Sequence, residues 1–387
     1  MKLLRSMLSS RPAPSRRTRK RILVLVILTI VAILSFGAIV VYSVRPIIPP
    51  YLLDTIVYAS LFGLMAMGLT LTYLTTKVPN FAYGSFVTVG IYTSFSLLRV
   101  DRINPYVSAP LAFALGGVGS VAMYLGVLRV LARRGSSLVA LMISTLAVDI
   151  AFVGIFGIYS DYLTSLYGII DTKYFIALSA TPGTDFSLLG RPGLLYVAPV
   201  SLAAISAGLY LLLTKTRFGI AMRASVENPS LARVLGIDVE RTYVFAWWLA
   251  GGFAALSGSY YSLWLPGGTS AGSNLIVEIF AASVLGGLAS IYGAALGGLI
   301  VGASEILLTQ EGAELFGSWV QIYQKGVPLV IMVVTLLLFP QGLVSVRWRR
   351  IIGSLAQNFR LIAINVGQNL RSMLIRLRGT FGIGGGT

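Results

Sequence analysis

Apolar residues run along this chain in blocks, broken by short polar or basic turns, and the longer blocks are close to the roughly 20 residues a helix needs to cross about 30 Å of hydrocarbon. Ten blocks are predicted as membrane helices: residues 22–44, 52–74, 81–98, 107–128, 137–158, 193–213, 243–263, 275–289, 291–308 and 320–339. The blocks at 81–98 and 275–289 are short and glycine-rich, so each fits either a full crossing or a broken, re-entrant segment. The first block is longer than the roughly 7 to 15 apolar residues of a cleavable signal and reads as an uncleaved helix. The fold class is an all-α polytopic membrane bundle of about ten helices.

Basic residues orient it, because short cytoplasmic loops retain Lys and Arg. With the N-terminus inside, 24 of the 30 basic residues fall on the cytoplasmic side, including eight between Lys2 and Arg21, then Lys77, Arg129, Arg133 and Arg134. Arg45, Arg99, Arg102, Lys173, Arg191 and Lys325 are left for the outer side, near Asp101, Asp161, Asp171, Asp185, Glu311 and Glu314. Both termini are thus expected in the cytoplasm and the chain in the cell membrane. The expected organisation is a basic N-tail over 1–21, a transmembrane domain over 22–344 with a cytoplasmic loop at 215–242, and a basic C-tail over 345–387. That tail mixes Ile351, Leu355, Phe359, Ile362 and Leu374 with seven Arg and no acid. It fits either an amphipathic helix on anionic lipid or a partly disordered anchor.

Composition narrows the chemistry. The 387 residues are 56% hydrophobic and 11% charged, against roughly 25% charged in soluble domains. The mean hydropathy of +0.84 agrees. With no Cys and no His, disulfides, zinc fingers, HExxH metal helices, thiol nucleophiles and Ser-His-Asp triads are excluded. None of the six Lys follows a Gly, so no phosphate-binding GxxxxGK[ST] loop exists. The net charge of +17 is spread over tails and loops and does not point to nucleic acid. No non-membrane segment reaches the size of a domain of about 100 residues, so a soluble partner is expected on another chain.

Three features carry candidate chemistry. Asp149, Glu278 and Glu305 lie in predicted spans, Glu305 near an outer end. A mid-span Asp costs about 2.5 to 3.5 kcal/mol on insertion scales, so Asp149 is expected to face a cavity or a partner, lining a path or serving structure alone. Gly293 and Gly297, then Gly298 and Gly302, stand four apart, a small-xxx-small pattern that favours helix packing over a substrate site. In the loop 214–242, Asn228 suits an N-cap, Pro229 the first helical position and Gly236 the left-handed residue after the helix, with Leu231, Val234 and Leu235 between. A preceding short helix is predicted over 220–226. Two such helices fit either an ordinary interfacial loop or a knob for a groove on a motor subunit.

The same loop, with Thr216-Arg217-Phe218-Gly219, Arg223-Ala224, Glu227-Asn228, Ala232 and Leu235-Gly236-Ile237, resembles the cytoplasmic motif of branched-chain amino acid ABC transporter permeases. Asn80-Phe81-Ala82-Tyr83-Gly84 resembles that family's NFAxG box. Leu285-Gly286-Gly287, Ser290-Ile291-Tyr292-Gly293-Ala294 and Gly297-Gly298 resemble its glycine-rich box, and Pro340-Gln341-Gly342-Leu343 closes the pattern. The boxes occur in family order across roughly residues 52–344. Tyr83 stands where His is common, Tyr292 where Pro is common and Phe339 where Arg is common.

The resemblance implies a non-enzymatic transport subunit for branched-chain or related amino acids. It would work with a second homologous permease, two cytoplasmic ABC ATPases and an external substrate-binding protein. ATP and Mg would sit on the ATPases, and no cofactor or metal on this chain. It makes Arg223, Glu227, Asn228, Pro229, Leu231, Ala232, Leu235 and Gly236 the ATPase-coupling residues. Asn80, Phe81, Gly84, Asp149, Gly286, Gly287 and Gly293 are candidates for the translocation path or for helix packing. A zwitterionic cargo needs donors for its carboxylate and acceptors for its ammonium, which helix N-termini, Asn80 or Ser and Thr hydroxyls would supply. The competing class is an ion-coupled secondary transporter or channel built on Asp149.

Overall fold

The computed structural model describes residues 50–168, 172–177, 185–188 and 191–345. The predicted helix at 22–44, the N-tail and the C-tail reading lie outside these residues. In chain order the helices are α1 (Pro50–Thr76), α2 (Tyr83–Arg99), α3 (Pro105–Met123), α4 (Arg129–Arg133), α5 (Leu138–Tyr167), α6 (Leu194–Lys215), α7 (Arg217–Glu227) and α8 (Pro229–Val234). They continue with α9 (Val239–Trp264), α10 (Ala271–Asn274), α11 (Ile276–Gly286), α12 (Ile291–Phe316) and α13 (Gly326–Leu338). A π-helical turn, Tyr124–Leu128, joins α3 to α4, and a 3₁₀ turn, Ser318–Tyr323, precedes α13.

Helix starts follow side-chain chemistry. Asn104, Ser137, Asp238 and Ser290 each accept a hydrogen bond from an otherwise orphan N–H in the first turn of α3, α5, α9 and α12. Pro105 adds a preset φ at the first position of α3. Gly168 ends α5 in the left-handed region, at φ 63°.

Among the described residues, five helical stretches are long and apolar enough to cross a membrane: Tyr51–Thr76, Pro105–Arg133, Leu138–Tyr167, Leu194–Lys215 and Ile291–Phe316. Helix α9 also has 26 residues, but its Gly, Ser, Tyr and Trp dilute its apolar content, and its second half is almost wholly buried. The predicted span at 275–289 is instead an 11-residue helix, α11. At 1.5 Å per residue it covers about half of the hydrocarbon thickness. The span at 320–339 likewise divides into the 3₁₀ turn and the 13 residues of α13.

The core forms where backbones meet. A Cβ on Gly90 of α2 would overlap Ala255 O of α9, and one on Gly258 of α9 would overlap Val87 O of α2. Gly116 of α3 and Gly251 of α9 face each other in the same way. The glycines of α12 divide between two neighbours: Gly293 and Gly297 lie on Gly286 and Ala282 of α11, whereas Gly298 and Gly302 lie on Gly63 and Ala59 of α1. The repeat read from the sequence is therefore two faces of one helix. Two tryptophans fix α9 antiparallel to α1. Trp247 Nε1 donates to Thr75 Oγ1 (2.9 Å) near one end, and Trp264 Nε1 donates to Asp54 Oδ1 (2.9 Å) near the other.

Helix α5 is the contrast. It shows Val139, Ile143, Ile150, Ile155 and Ile158 outward and touches α2 through aromatics, with Phe152 edge-on to Phe86 and Phe156 stacked on Tyr92 at 5.3 Å. At the Trp264 end, β1 (Tyr174–Phe175) pairs antiparallel with β4 (Gly267–Gly268), and Phe175 stacks on Phe95. A second ladder pairs β2 (Ser187–Leu188) with β3 (Arg191–Pro192).

Because the backbones are the obstacles, Gly90→Ala and Gly298→Ala should lower the temperature at which detergent-solubilised protein loses its monodisperse peak. Gly157→Ala, with open space around it, should leave that temperature unchanged or raise it slightly, since Ala exceeds Gly in helix propensity by about 1 kcal/mol. Equal losses in all three would show that close approach is not what holds the bundle.

Candidate functional site

The loop between α6 and α9 folds as two short helices. Thr216 Oγ1 caps α7 by accepting from Gly219 N, and Asn228 Oδ1 caps α8 by accepting from Leu231 N, with Pro229 at its first position. Gly236 follows α8 in the left-handed region, at φ 79°. The helix expected over 220–226 spans Arg217–Glu227.

Three anchors hold the pair to the bundle. Gly219 lies so close to Leu213 that only hydrogen fits between them. Arg223 Nη1 donates to Leu213 O (2.7 Å), satisfying a carbonyl of the last turn of α6. Tyr243 OH of α9 donates to Ser225 O (3.0 Å). Met222 and Ala232 point inward, while Ile220, Leu231, Val234 and Leu235 point out, the last two at 82% and 70% exposure. Glu227 is exposed as well. Of the residues read as coupling positions, Arg223 thus serves the joint with α6, Asn228, Pro229 and Gly236 shape α8, and Leu231 and Leu235 form the outward apolar surface. At the same end, Glu240 of α9 pairs with Arg129 and, at 2.9 Å, with Arg133 of α4.

The NFAxG segment lies at the start of α2. Phe81 N donates to Thr145 Oγ1 (3.1 Å), and the Phe81 ring sits 5.2 Å from that of Phe280. Gly84 touches the backbone of Gly272 in α10, whose N–H donates to Thr88 Oγ1 (3.2 Å). Asp149 faces this junction: Oδ1 accepts from Ser85 Oγ (2.5 Å) and Ser273 Oγ (3.0 Å). It joins α5 to α2 and α10 and faces away from lipid, as its insertion cost requires. Asn80 is buried, and neither Oδ1 nor Nδ2 has a hydrogen-bond partner among the described residues.

The glycine-rich box and the closing Pro340-Gln341-Gly342-Leu343 box meet. Gly287 turns at φ 100° after α11, and Gly342 (φ 77°) packs on its backbone. A Cβ on Gly293 would strike Gly286 O and Val344. Gly286, Gly287 and Gly293 are therefore all in close backbone contact.

A cavity of about 390 Å³ opens at the Trp264 end of α9, away from all these boxes. Tyr51, Asp54 and Tyr58 of α1, Trp264, Thr309 of α12 and Gln324 are among its walls. Behind it, Glu305 Oε1 accepts from Tyr58 OH (2.9 Å) and Gln324 Nε2 (3.1 Å). Lys325 Nζ stands 4.0 Å from Glu278 Oε1. The span reading passes over Asp54, although an acid near the start of an apolar helix is the sequence signal for it. Glu278 and Glu305 were visible as intramembrane acids, but nothing in the sequence joins them to residues about 250 positions earlier. No group of three or more carboxylates is placed to hold a metal ion among the described residues.

Residues 51–336 match the family described as "Branched-chain amino acid transport system / permease component". The chain is 44% identical over 296 residues to the protein of Methanocaldococcus jannaschii named "Probable branched-chain amino acid transport permease protein LivH", covering 76% of this chain and 92% of that one. It is 28% identical to the high-affinity branched-chain amino acid transport system permease protein BraD of Pseudomonas aeruginosa, covering 76% and 94%. A shorter match, 33% identical and covering 42% and 43%, is to the autoinducer 2 import system permease protein LsrC of Yersinia enterocolitica. The ordered sequence boxes, the helical membrane bundle and a family match across most of the chain lead to one conclusion: this is a multi-pass membrane transport protein that belongs to the branched-chain amino acid transport system permease family.

Proposed function

We propose that the chain is the membrane subunit of an ATP-driven importer for branched-chain or related amino acids, with both termini cytoplasmic. It pairs with a second homologous permease, takes cargo from an external binding protein and is driven by two cytoplasmic ATPases that carry ATP and Mg. The observation that carries this reading is the α7–α8 surface. Leu231, Val234 and Leu235 are held in water on helices whose other faces are fixed to α6 and α9. Exposed apolar side chains on a well-formed element favour a partner groove. Force applied to α7 and α8 reaches the core through Arg223, Gly219 and Tyr243, and α9 touches α1, α2 and α3, so the loop is mechanically continuous with the core of the bundle. Asp149, with two serine hydroxyls on one oxygen, has an account that needs no transported ion.

Val234→Asp and Leu235→Asp should leave membrane insertion intact, lower ATP-dependent uptake at least tenfold and abolish permease stimulation of the ATPases in proteoliposomes. Glu227→Arg should impair coupling without loss of thermal stability, whereas Arg223→Glu should lose both, because it also breaks the bond to Leu213 O. Full uptake in the two Asp variants would remove the coupling role. Affinity purification from native membranes should recover a second permease and P-loop ATPases; transport by the chain alone in vesicles without ATP would overturn the importer.

Orientation has its own test in a chain that contains no Cys. Asp101→Cys should react with a membrane-impermeant maleimide on intact cells, and Ser230→Cys only after permeabilisation. The reverse pattern would invert the topology.

A further inference from the structure

The cavity at the Trp264 end has a chemistry that none of the sequence boxes accounts for. Its walls bring an acid, Asp54, together with the aromatic rings of Tyr51, Tyr58 and Trp264. Thr309, also in the wall, is only 4% exposed, and its Oγ1 has no hydrogen-bond partner among the described residues. A helical threonine ordinarily bonds a carbonyl one turn back. Its free oxygen is therefore an acceptor held without a donor.

Glu305 lies one helical turn before Thr309 and behind the wall residues Tyr58 and Gln324, which both donate to Oε1, while Oε2 is left without a partner. Glu278, also 1% exposed, makes no hydrogen bond among the described residues and has only the Lys325 ammonium at 4.0 Å. Lys325 is shared with Asn274 O. Glu278 and Glu305 thus share one ammonium, Lys325, behind a cavity whose own wall carries the carboxylate of Asp54. Buried acceptors left without donors cost free energy that an incoming cation with N–H groups offsets.

We propose that this cavity binds the protonated amino group of the transported amino acid, at the end of the bundle opposite the α7–α8 loop. Asp54 and Thr309 accept from the ammonium, Glu305 adds the charge of its carboxylate from behind Tyr58 and Gln324, and the rings of Tyr58 and Trp264 add cation–π attraction. Leu265 and Ile306 offer an apolar wall to the side chain of the cargo, and the Gln321 amide is in the wall to donate to its carboxylate. Its volume lies within the roughly 300 to 1,000 Å³ of small-molecule sites. The inference rests on the importer reading only for the identity of the amine.

The test is equilibrium binding of tritiated L-leucine to the purified full-length chain in nanodiscs, in choline chloride, with neither ATPases nor receptor present. Saturable binding is expected, displaced by leucine methyl ester, which keeps the ammonium, and not by 4-methylpentanoate, which lacks it. Glu305→Gln and Asp54→Asn, which keep the acceptors for Tyr58 and Trp264, should each weaken binding roughly tenfold or more, and Thr309→Val should weaken it less. Asp101→Asn should bind as the wild type does. All variants are compared only as monodisperse protein, and Thr309→Val stands in for a carboxylate variant that misfolds.

Displacement by 4-methylpentanoate as effective as by the ester would overturn the proposal, as would undiminished binding in both carboxylate variants or no saturable binding at all. Loss of leucine binding when sodium replaces choline would assign the site to an inorganic cation instead. Each of these leaves the importer reading standing. Conversely, failure to recover ATPases would end that reading without changing this binding result.

Discussion

Everything in this bundle depends on how closely helix backbones approach where lipid supplies no hydrophobic force to press them together. In hydrocarbon, an apolar side chain gains little by exchanging lipid for protein, so contact must come from dispersion and backbone proximity. Helix α9 provides it, with Gly251 against α3 and Ala255 and Gly258 against α2. Helix α12 does the same for α1 and α11 on two faces. The glycines that weaken a helix in water therefore hold this structure, because their cost in helix propensity is smaller than the contacts they permit.

Polar groups then decide where the packed helices stop sliding. Trp247 on Thr75 and Trp264 on Asp54 fix the axial position of α9 along α1. Asp149 fixes α10 against α2 and α5. Inside a membrane each such bond is worth about 1 kcal/mol, less than intuition suggests. Its value lies in register: a slipped helix would leave indole N–H or carboxylate groups facing hydrocarbon.

The two ends of the bundle consequently differ in kind. One carries the Arg129, Arg133 and Glu240 cluster beside helices with an outward apolar surface, suited to a soluble protein partner. The other carries buried carboxylates, aromatic rings and a cavity, suited to a small cation. A transporter needs both, and α9 runs between them.

The sequence by itself determined the membrane class, most helix positions and the family, since run length, charge bias and ordered boxes are local properties. The shape of α8 was legible to the residue, because Asn228, Pro229 and Gly236 act on their own backbone. The residues of α11 fit a full crossing as well as a short helix, because a helix stop inside hydrocarbon depends on what α12 and the turn at Gly287 offer to its free carbonyls. The bond of Arg223 to Leu213 O is not legible in the sequence, since that carbonyl belongs to the preceding helix and becomes a neighbour only when α7 folds back. Only the tertiary structure decided which glycine meets which helix and that Asp54 and Thr309 line one space with Glu305 behind it. Long-range pairing across some 250 residues leaves no periodicity in a single chain, and a carboxylate facing a cavity is written with the same letter as one facing water.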